Sequence, residues 1–237
     1  MTAARTCVAL RHVAFEDLGV WEAEIAAHGY EVRYVDAGVD DLEPALMADL
    51  LIVLGGPIGV ADATEYPVLT EEIALLSARA AANGPTLGVC LGAQLLAVAL
   101  GGSVTPGEPE IGWGGVDLAP GASSTPLRHL AGAPVLHWHG DRIVPPAGAA
   151  VFASTESTPC QAFAIGAQWG VQFHPEVDGE RIEQWLIGHS DELRAHRLSV
   201  PELRSRSREV GDDAAVAGVR MIREYLRGLE PPAISRR

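Results

Sequence analysis

A thiol acts as a nucleophile when its anion is favoured and a neighbour takes its proton, and three short stretches of this chain carry residue types for that chemistry. The first is Gly88-Val89-Cys90-Leu91-Gly92, a G-x-C-x-G turn. The apolar residues before it read as a strand and LGAQLLAVAL after it as a helix, so Cys90 stands on the corner with the geometry of a nucleophile elbow. A helix beginning at Leu91 points its free N–H groups and positive dipole end at the sulfur, which favours thiolate over thiol. The second stretch is Phe173-His174-Pro175-Glu176. His174 ends a strand, Pro175 pins the backbone, and Glu176 falls on the same side of an extended chain, where it can bond one ring nitrogen and leave the other for a thiol. The third is Gly55-Gly56-Pro57, whose glycine N–H can approach an oxyanion with no Cβ in the way; paired with the N–H of Leu91 it makes a two-donor oxyanion hole. Taken singly, each has a plainer reading: a small buried residue at a tight turn, a loop after a strand, and a simple turn.

The elements around these stretches repeat one theme. TCVAL (6–10), YEVRYVDA (30–37), DLLIVLGGP (49–57) and PTLGV (85–89) read as strands. VWEAEIAAHG (20–29), VLTEEIALLSARAAANG (68–84) and the segment after Cys90 read as helices, stopped by Gly29, Asn83-Gly84 and Gly101-Gly102. The alternation is β-α-β-α-β-α-β-α, and fully apolar strands joined by helices predict a doubly wound, mostly parallel α/β sheet with helices on both faces. Such sheets bind ligands beyond the carboxyl ends of their strands, where Gly-Gly-Pro and Cys90 both fall. From about residue 103 the spacing predicts shorter, partly antiparallel strands in IGWGGVDLAP, APVLHWHGD, AAVFASTES, CQAFAIG and QWGVQFHPE. Helices are expected over 179–194 and 212–229, and a frayed end in PPAISRR (231–237).

Composition narrows the function classes. The 237 residues carry 17 Lys+Arg against 31 Asp+Glu, a net charge of −14, which argues against a nucleic-acid-binding face. Cys7, Cys90 and Cys160 are three in number with no CxxC spacing, so neither a disulfide framework nor a zinc motif is expected, and free thiols suggest a reducing compartment. The N-terminal MTAARTCVALRHVAF lacks a signal-peptide pattern and no apolar run is long enough to span a bilayer, so the expected location is the cytoplasm, with no membrane partner.

In this order, Gly55-Gly56-Pro57, Gly88-Val89-Cys90-Leu91-Gly92-Ala93-Gln94 and Phe173-His174-Pro175-Glu176 resemble the class I (triad) glutamine amidotransferases, over about the first three-quarters of the chain. The resemblance implies the flavodoxin-like fold of that class. It implies that Cys90 attacks the side-chain amide of glutamine, that His174 moves the proton, that Glu176 holds His174, and that a γ-glutamyl thioester is cleaved by water to glutamate. Gly56 and Leu91 would supply the oxyanion N–H groups, and Gln94 matches a position that contacts the amino-acid end of the substrate. LHWHGDRI (136–143) and EIGW (110–113) are most similar to the amidotransferase domain of GMP synthase, which would put His139, Gly140 and Asp141 near bound glutamine. No P-loop or Ser-Gly-Gly-rich pyrophosphatase signature occurs in these residues. Either a separate synthetase or acceptor subunit takes the ammonia, or the chain only hydrolyses γ-glutamyl bonds. Alternatives are a γ-glutamyl peptidase acting on larger γ-glutamyl amides, and a non-catalytic regulatory module that keeps the fold.

Two further features stand outside the resemblance. His137 and His139 form an H-x-H pair that a strand would place on one face, as metal sites use, with Asp141 able to join. No further ligand set converges in the sequence, so the expectation is no metal and no cofactor, with His137 packed under a loop. The domain reading is an amidotransferase unit over 1–188 and a C-terminal helical extension over 189–237 packed on the same domain. That extension carries Arg194, Arg197, Arg204, Arg206, Arg208, Arg220, Arg223 and Arg227. They read first as a solvated helix face paired with acids, and second as a docking face for a partner or a homodimer.

Overall fold

The apolar runs of the first half become parallel strands, fully buried over Leu50–Val53 and Thr86–Val89 and only half-buried in the alternating stretch Tyr30–Asp36. The structure is a computed structural model that describes residues 4–230; the expected frayed end at 231–237 lies outside the described residues. Strands β1 (Arg5–Arg11), β2 (Tyr30–Asp36), β3 (Leu50–Val53) and β4 (Thr86–Val89) alternate with α1 (Glu22–Ala27), α2 (Glu43–Met47), α3 (Val68–Ala81) and α4 (Leu91–Ala99). Strands β5 (Ser103–Gly114), β6 (Asp117–Leu118), β7 (Val135–Val144), β8 (Ala150–Ser154), β9 (Ala162–Ile165) and β10 (Gln168–Val171) follow, then α5 (Ile182–Gly188), α6 (Ser190–Ala195) and α7 (Val200–Leu229). The main sheet has the order β2-β1-β3-β4-β10-β9-β8-β6; its first five strands are parallel and its last three join antiparallel. β5 and β7 form a separate antiparallel pair.

Successive residues of β1 show why its whole run is apolar. Cys7 and Ala9 face a cluster with Trp21, Ile25, Met221, Ile222 and Tyr225, contributed by the α1 and α7 side. Val8 and Leu10 face the opposite cluster with Leu69, Leu76, Leu95 and Leu96, contributed by α3 and α4. Period-2 alternation therefore delivers both faces to a core, and a polar residue anywhere in the run would be stranded. Each fully buried Leu, Ile or Met side chain of this kind contributes about 1.5–3 kcal/mol.

Departures from the expected elements have local causes. The connection between β2 and β3 holds only the five-residue α2. Ile111–Gly114 belongs to β5, whereas Asp117–Leu118 crosses into the main sheet as β6, so the run read as one strand is divided between two sheets. The helix expected over 179–194 breaks at His189 into α5 and α6. α7 starts twelve residues earlier than 212: the Ser199 side chain accepts from the N–H of Glu202, and Pro201 sits in the first turn, where its missing N–H costs nothing. Of the arginines in the extension, Arg194, Arg204, Arg206 and Arg223 pair with Asp191, Glu183, Glu209 and Glu24. No described helix is long and apolar enough to cross a membrane.

Candidate active site

Cys90 and His174 meet because β4 and β10 are parallel neighbours whose carboxyl ends lie side by side. The N–H of Cys90 donates to Val171 O at 2.9 Å, which ties the corner to the end of β10, three residues before His174. Cys90 adopts φ +51°, ψ −111°, a left-handed conformation costly to a residue with a Cβ, as at a nucleophile elbow. Gly92 makes that corner possible: a Cβ there would sit 2.0 Å from Val53 O, so only glycine lets α4 press against the end of β3. The sulfur contacts Trp138 O at 3.5 Å and accepts from Gln172 Nε2 at 3.7 Å.

His174 is buried, and its Nδ1 bonds Glu176 Oε1 at 2.7 Å while its Nε2 engages no hydrogen-bond partner. Burial alone would push the His174 imidazolium pKa down. The Glu176 carboxylate and the neighbouring Cys90 sulfur outweigh it and hold that pKa well above 6.5. Trp185 lies edge-on to the ring at 4.8 Å between centroids. The turn behind this pair is clamped by backbone. The N–H of Val20 donates to Glu176 O at 2.9 Å, and Pro175 O lies so near Gly218 of α7 that a Cβ there would be 1.9 Å away. Trp21 Nε1 donates to Gly218 O at 3.1 Å and completes the seat.

The Gly55-Gly56-Pro57 turn is held differently. His12 Nδ1 donates to Gly55 O at 2.9 Å, and its Nε2 faces both oxygens of the buried Glu72 carboxylate at 3.1 and 3.2 Å. Both ring nitrogens thus meet acceptors. Burial by itself would lower the His12 pKa, but the hydrogen-bonded Glu72 carboxylate reverses that and raises it above 6.5. With no cis peptide among the described residues, pinning Gly55 O turns the Gly56 N–H away from His12.

A cavity of about 470 Å³ opens over Cys90 and the Gly56-Pro57 turn; His174 and Glu176 are buried and do not line it. Gly56, Cys90, Leu91, Gln94, His139, Gly140 and Asp141 all line it. The Gln94 amide donates to Gln172 Oε1 at 3.2 Å, so Gln172 links it to the sulfur. The sequence reading missed Gln172, although it stands two residues before His174 in the same motif. It also missed Glu16, Trp138, Trp185, His189 and Glu192 in the cavity wall. Glu16 and His189 face each other at 3.2 Å across elements far apart in the chain, a proximity no local pattern signals. Trp138 Nε1 donates to Glu192 Oε2 at 2.7 Å.

The H-x-H pair gains a different third member from the one expected. Ligand atoms of Glu110, His137 and His139 lie within 4.8 Å of one another, whereas the Asp141 carboxylate stands near Gly59 and Asp62. Burial alone would raise the Glu110 pKa; the neighbouring His139 imidazole and the polar side chains of Thr155, Thr158 and Ser157 reverse that and hold the carboxyl well below its usual range. Burial pushes the His137 imidazole down to about 4, so it is neutral.

The family description "Glutamine amidotransferase class-I" matches residues 21–188. The chain therefore belongs to the class I glutamine amidotransferase family. It is 33% identical over 191 residues to the glutamine amidotransferase-like protein YfeJ of Salmonella typhimurium, covering 76% of this chain and 79% of that one. It is 40% identical over 135 residues to the glutamine-hydrolysing GMP synthase of Leifsonia xyli; the match covers 54% of this chain but only 25% of the synthase. The crystal structure of a glutamine amidotransferase from Thermotoga maritima superposes with a TM-score of 0.84 at 29% identity, covering 94% of this chain and 98% of that one.

Proposed function

We infer that the chain is a cysteine-dependent glutaminase of amidotransferase type. The observation that carries this reading is the buried His174–Glu176 couple, with one ring nitrogen unengaged, beside a strained cysteine corner at the floor of a cavity. Cys90 Sγ attacks the side-chain carbonyl carbon of glutamine while His174 holds the thiol proton. The carbonyl oxygen gains negative charge and is met by the N–H of Leu91, which has no partner within its helix, and by that of Gly56. The C–N bond breaks as His174 passes the proton to nitrogen, and ammonia leaves. The γ-glutamyl thioester remains. Water, deprotonated by His174, attacks it, the C–S bond breaks, and glutamate and the thiol are restored. Glu176 orients the ring and stabilises its charged form. Gln94, His139, Gly140 and Asp141 hold the amino-acid end of the substrate.

The ammonia goes to a separate synthetase subunit. This rests on the family and on the similarity to the Leifsonia synthase. The three cysteines are free and buried, which supports a reducing, cytoplasmic setting. A second reading, a γ-glutamyl peptidase, is favoured by one feature: the cavity is roomier than a single glutamine needs. The deciding assay is turnover of the purified chain on glutamine and on a γ-glutamyl dipeptide, measuring glutamate and released amine. Cys90→Ala abolishes both activities. A Cys90→Ala protein as active as the parent would overturn the reading.

A further inference from the structure

The geometry points to a divalent-cation site of zinc type at the edge of the cavity, held by Glu110, His137 and His139. Of its three residues only His139 also enters the catalytic reading, and the site rests on no part of that reading.

The site is built by strand register. β5 and β7 are antiparallel, with Glu110 opposite His139 and Gly112 opposite His137, so all three side chains leave the pair on one face. Gly112 brings no side chain to compete for the space. The β5 irregularity between Pro106 and Glu110 sets this register, and sequence spacing does not predict it.

The ring nitrogens are sorted as metal ligands require. His139 Nδ1 lies 3.2 Å from the backbone carbonyl of Asp141, so it carries a proton, and Nε2 is the nitrogen turned toward the cluster. That Nε2 is 3.2 Å from Glu110 Oε2. His137 interacts with the backbone of Gly115, while its Nδ1 is buried with no hydrogen-bond partner. Nδ1 is therefore the free donor, on a residue only 5% exposed. An imidazole whose second nitrogen is fixed by a backbone carbonyl is the usual partner of a bound metal. The carboxylate is held in place by Gln161, whose Nε2 donates to Glu110 Oε2.

A fourth ligand is at hand. Gln161 is fully buried, and its Nε2 lies 2.7 Å from Glu110 Oε2 and 3.3 Å from His139 Nε2. Its Oε1 has no partner. Half a turn about the terminal bond puts that orphaned oxygen into the cluster. Two imidazoles, a carboxylate and an amide oxygen suit a borderline cation such as zinc better than magnesium or calcium. A proton shared by His139 and Glu110 would leave His137 Nδ1 and Gln161 Oε1 unpaired, whereas one cation engages all four residues. Such an ion fastens β5 to β7 just behind His139.

The test uses the full chain, freed of metal by a chelator. Zinc is titrated against a chromophoric chelator, and cobalt(II) is added to a second sample for its visible spectrum. The expected result is one zinc per chain and a cobalt spectrum of nitrogen and oxygen ligation without a sulfur charge-transfer band. Zinc also raises the melting temperature of the wild-type chain. Glu110→Gln and His139→Asn each weaken zinc by at least about 100-fold, and Cys90→Ser leaves zinc binding unchanged. If either variant does not fold, the wild-type stoichiometry and cobalt spectrum decide. Stoichiometry well below one zinc per chain, a sulfur band, binding lost in Cys90→Ser, or binding kept in folded Glu110→Gln and His139→Asn would overturn the proposal.

Discussion

The turn that carries His174 and Glu176 rests on close backbone packing, whereas the Gly55-Gly56-Pro57 turn on the other side of Cys90 rests on a buried ion pair. Behind the first stand Val20 N–H, Gly218 and Trp21, groups that do not titrate in the physiological range. Behind the second stand His12 and Glu72. The first support is intolerant of a single added carbon but indifferent to pH. The second tolerates small shape changes but depends on a proton. The difference teaches that the His174–Glu176 couple is held rigidly, while the hold on the Gly55–Gly56 peptide is coupled to pH. It also gives α7 a part in the site, since that helix supplies the surface on which Pro175 rests.

Breaking the first support has the larger effect on turnover. Gly218→Ala puts a Cβ against Pro175 O, which must move and carry His174 with it. A displacement of about 1 Å at reacting groups costs about 100-fold in rate, so kcat for glutamine falls by that order while the protein stays folded, as circular dichroism will show. Unchanged kcat would mean that α7 does not set the turn.

The second support is sharpened by pH. His12 binds its proton more tightly in the folded chain than in the unfolded one, where its value is near 6.5. Its contribution to stability is therefore fully present below pH 6.5 and fades as the pH rises through the raised folded value. Glu72→Gln leaves a buried imidazole without its counter-charge and costs about 3 kcal/mol in denaturant unfolding at low pH. The cost shrinks as the pH rises, because the wild type loses the same interaction. A cost independent of pH would show that His12 is neutral in the fold.

Much of the site's floor is legible in the sequence because short-range rules govern it. The apolar runs specify a sheet buried on both faces, G-x-C-x-G specifies a strand-to-helix corner, and His-Pro-Glu at a strand end specifies a couple. Parallel pairing of β4 with β10 then brings the two together. The cavity wall follows longer-range rules. Glu110 reaches His139 only through a register set by the irregularity in β5, so sequence spacing offers Asp141, and not Glu110, as a possible companion for the H-x-H pair. Glu16 meets His189 at the point where the helix expected over 179–194 breaks, far from Glu16 in the chain. His12 gives no local sign that its ring will reach Gly55. α7 begins at Val200 rather than 212 because Ser199 caps it and Pro201 fits its first turn, where a proline begins a helix rather than breaking one.

The central claim is that one sulfur, Cys90, is set apart for acyl transfer. Cys7 and Cys160 supply internal controls, since burial pushes both thiols up to about 12. The most direct measurement is peptide mapping by mass spectrometry after brief exposure of the folded chain to a glutamine-like electrophile at neutral pH. The account predicts a single adduct, on Cys90, that is blocked by excess glutamine and strongly slowed in His174→Ala. No adduct at Cys90, or equal labelling of Cys7 and Cys160 in the folded chain, would contradict it.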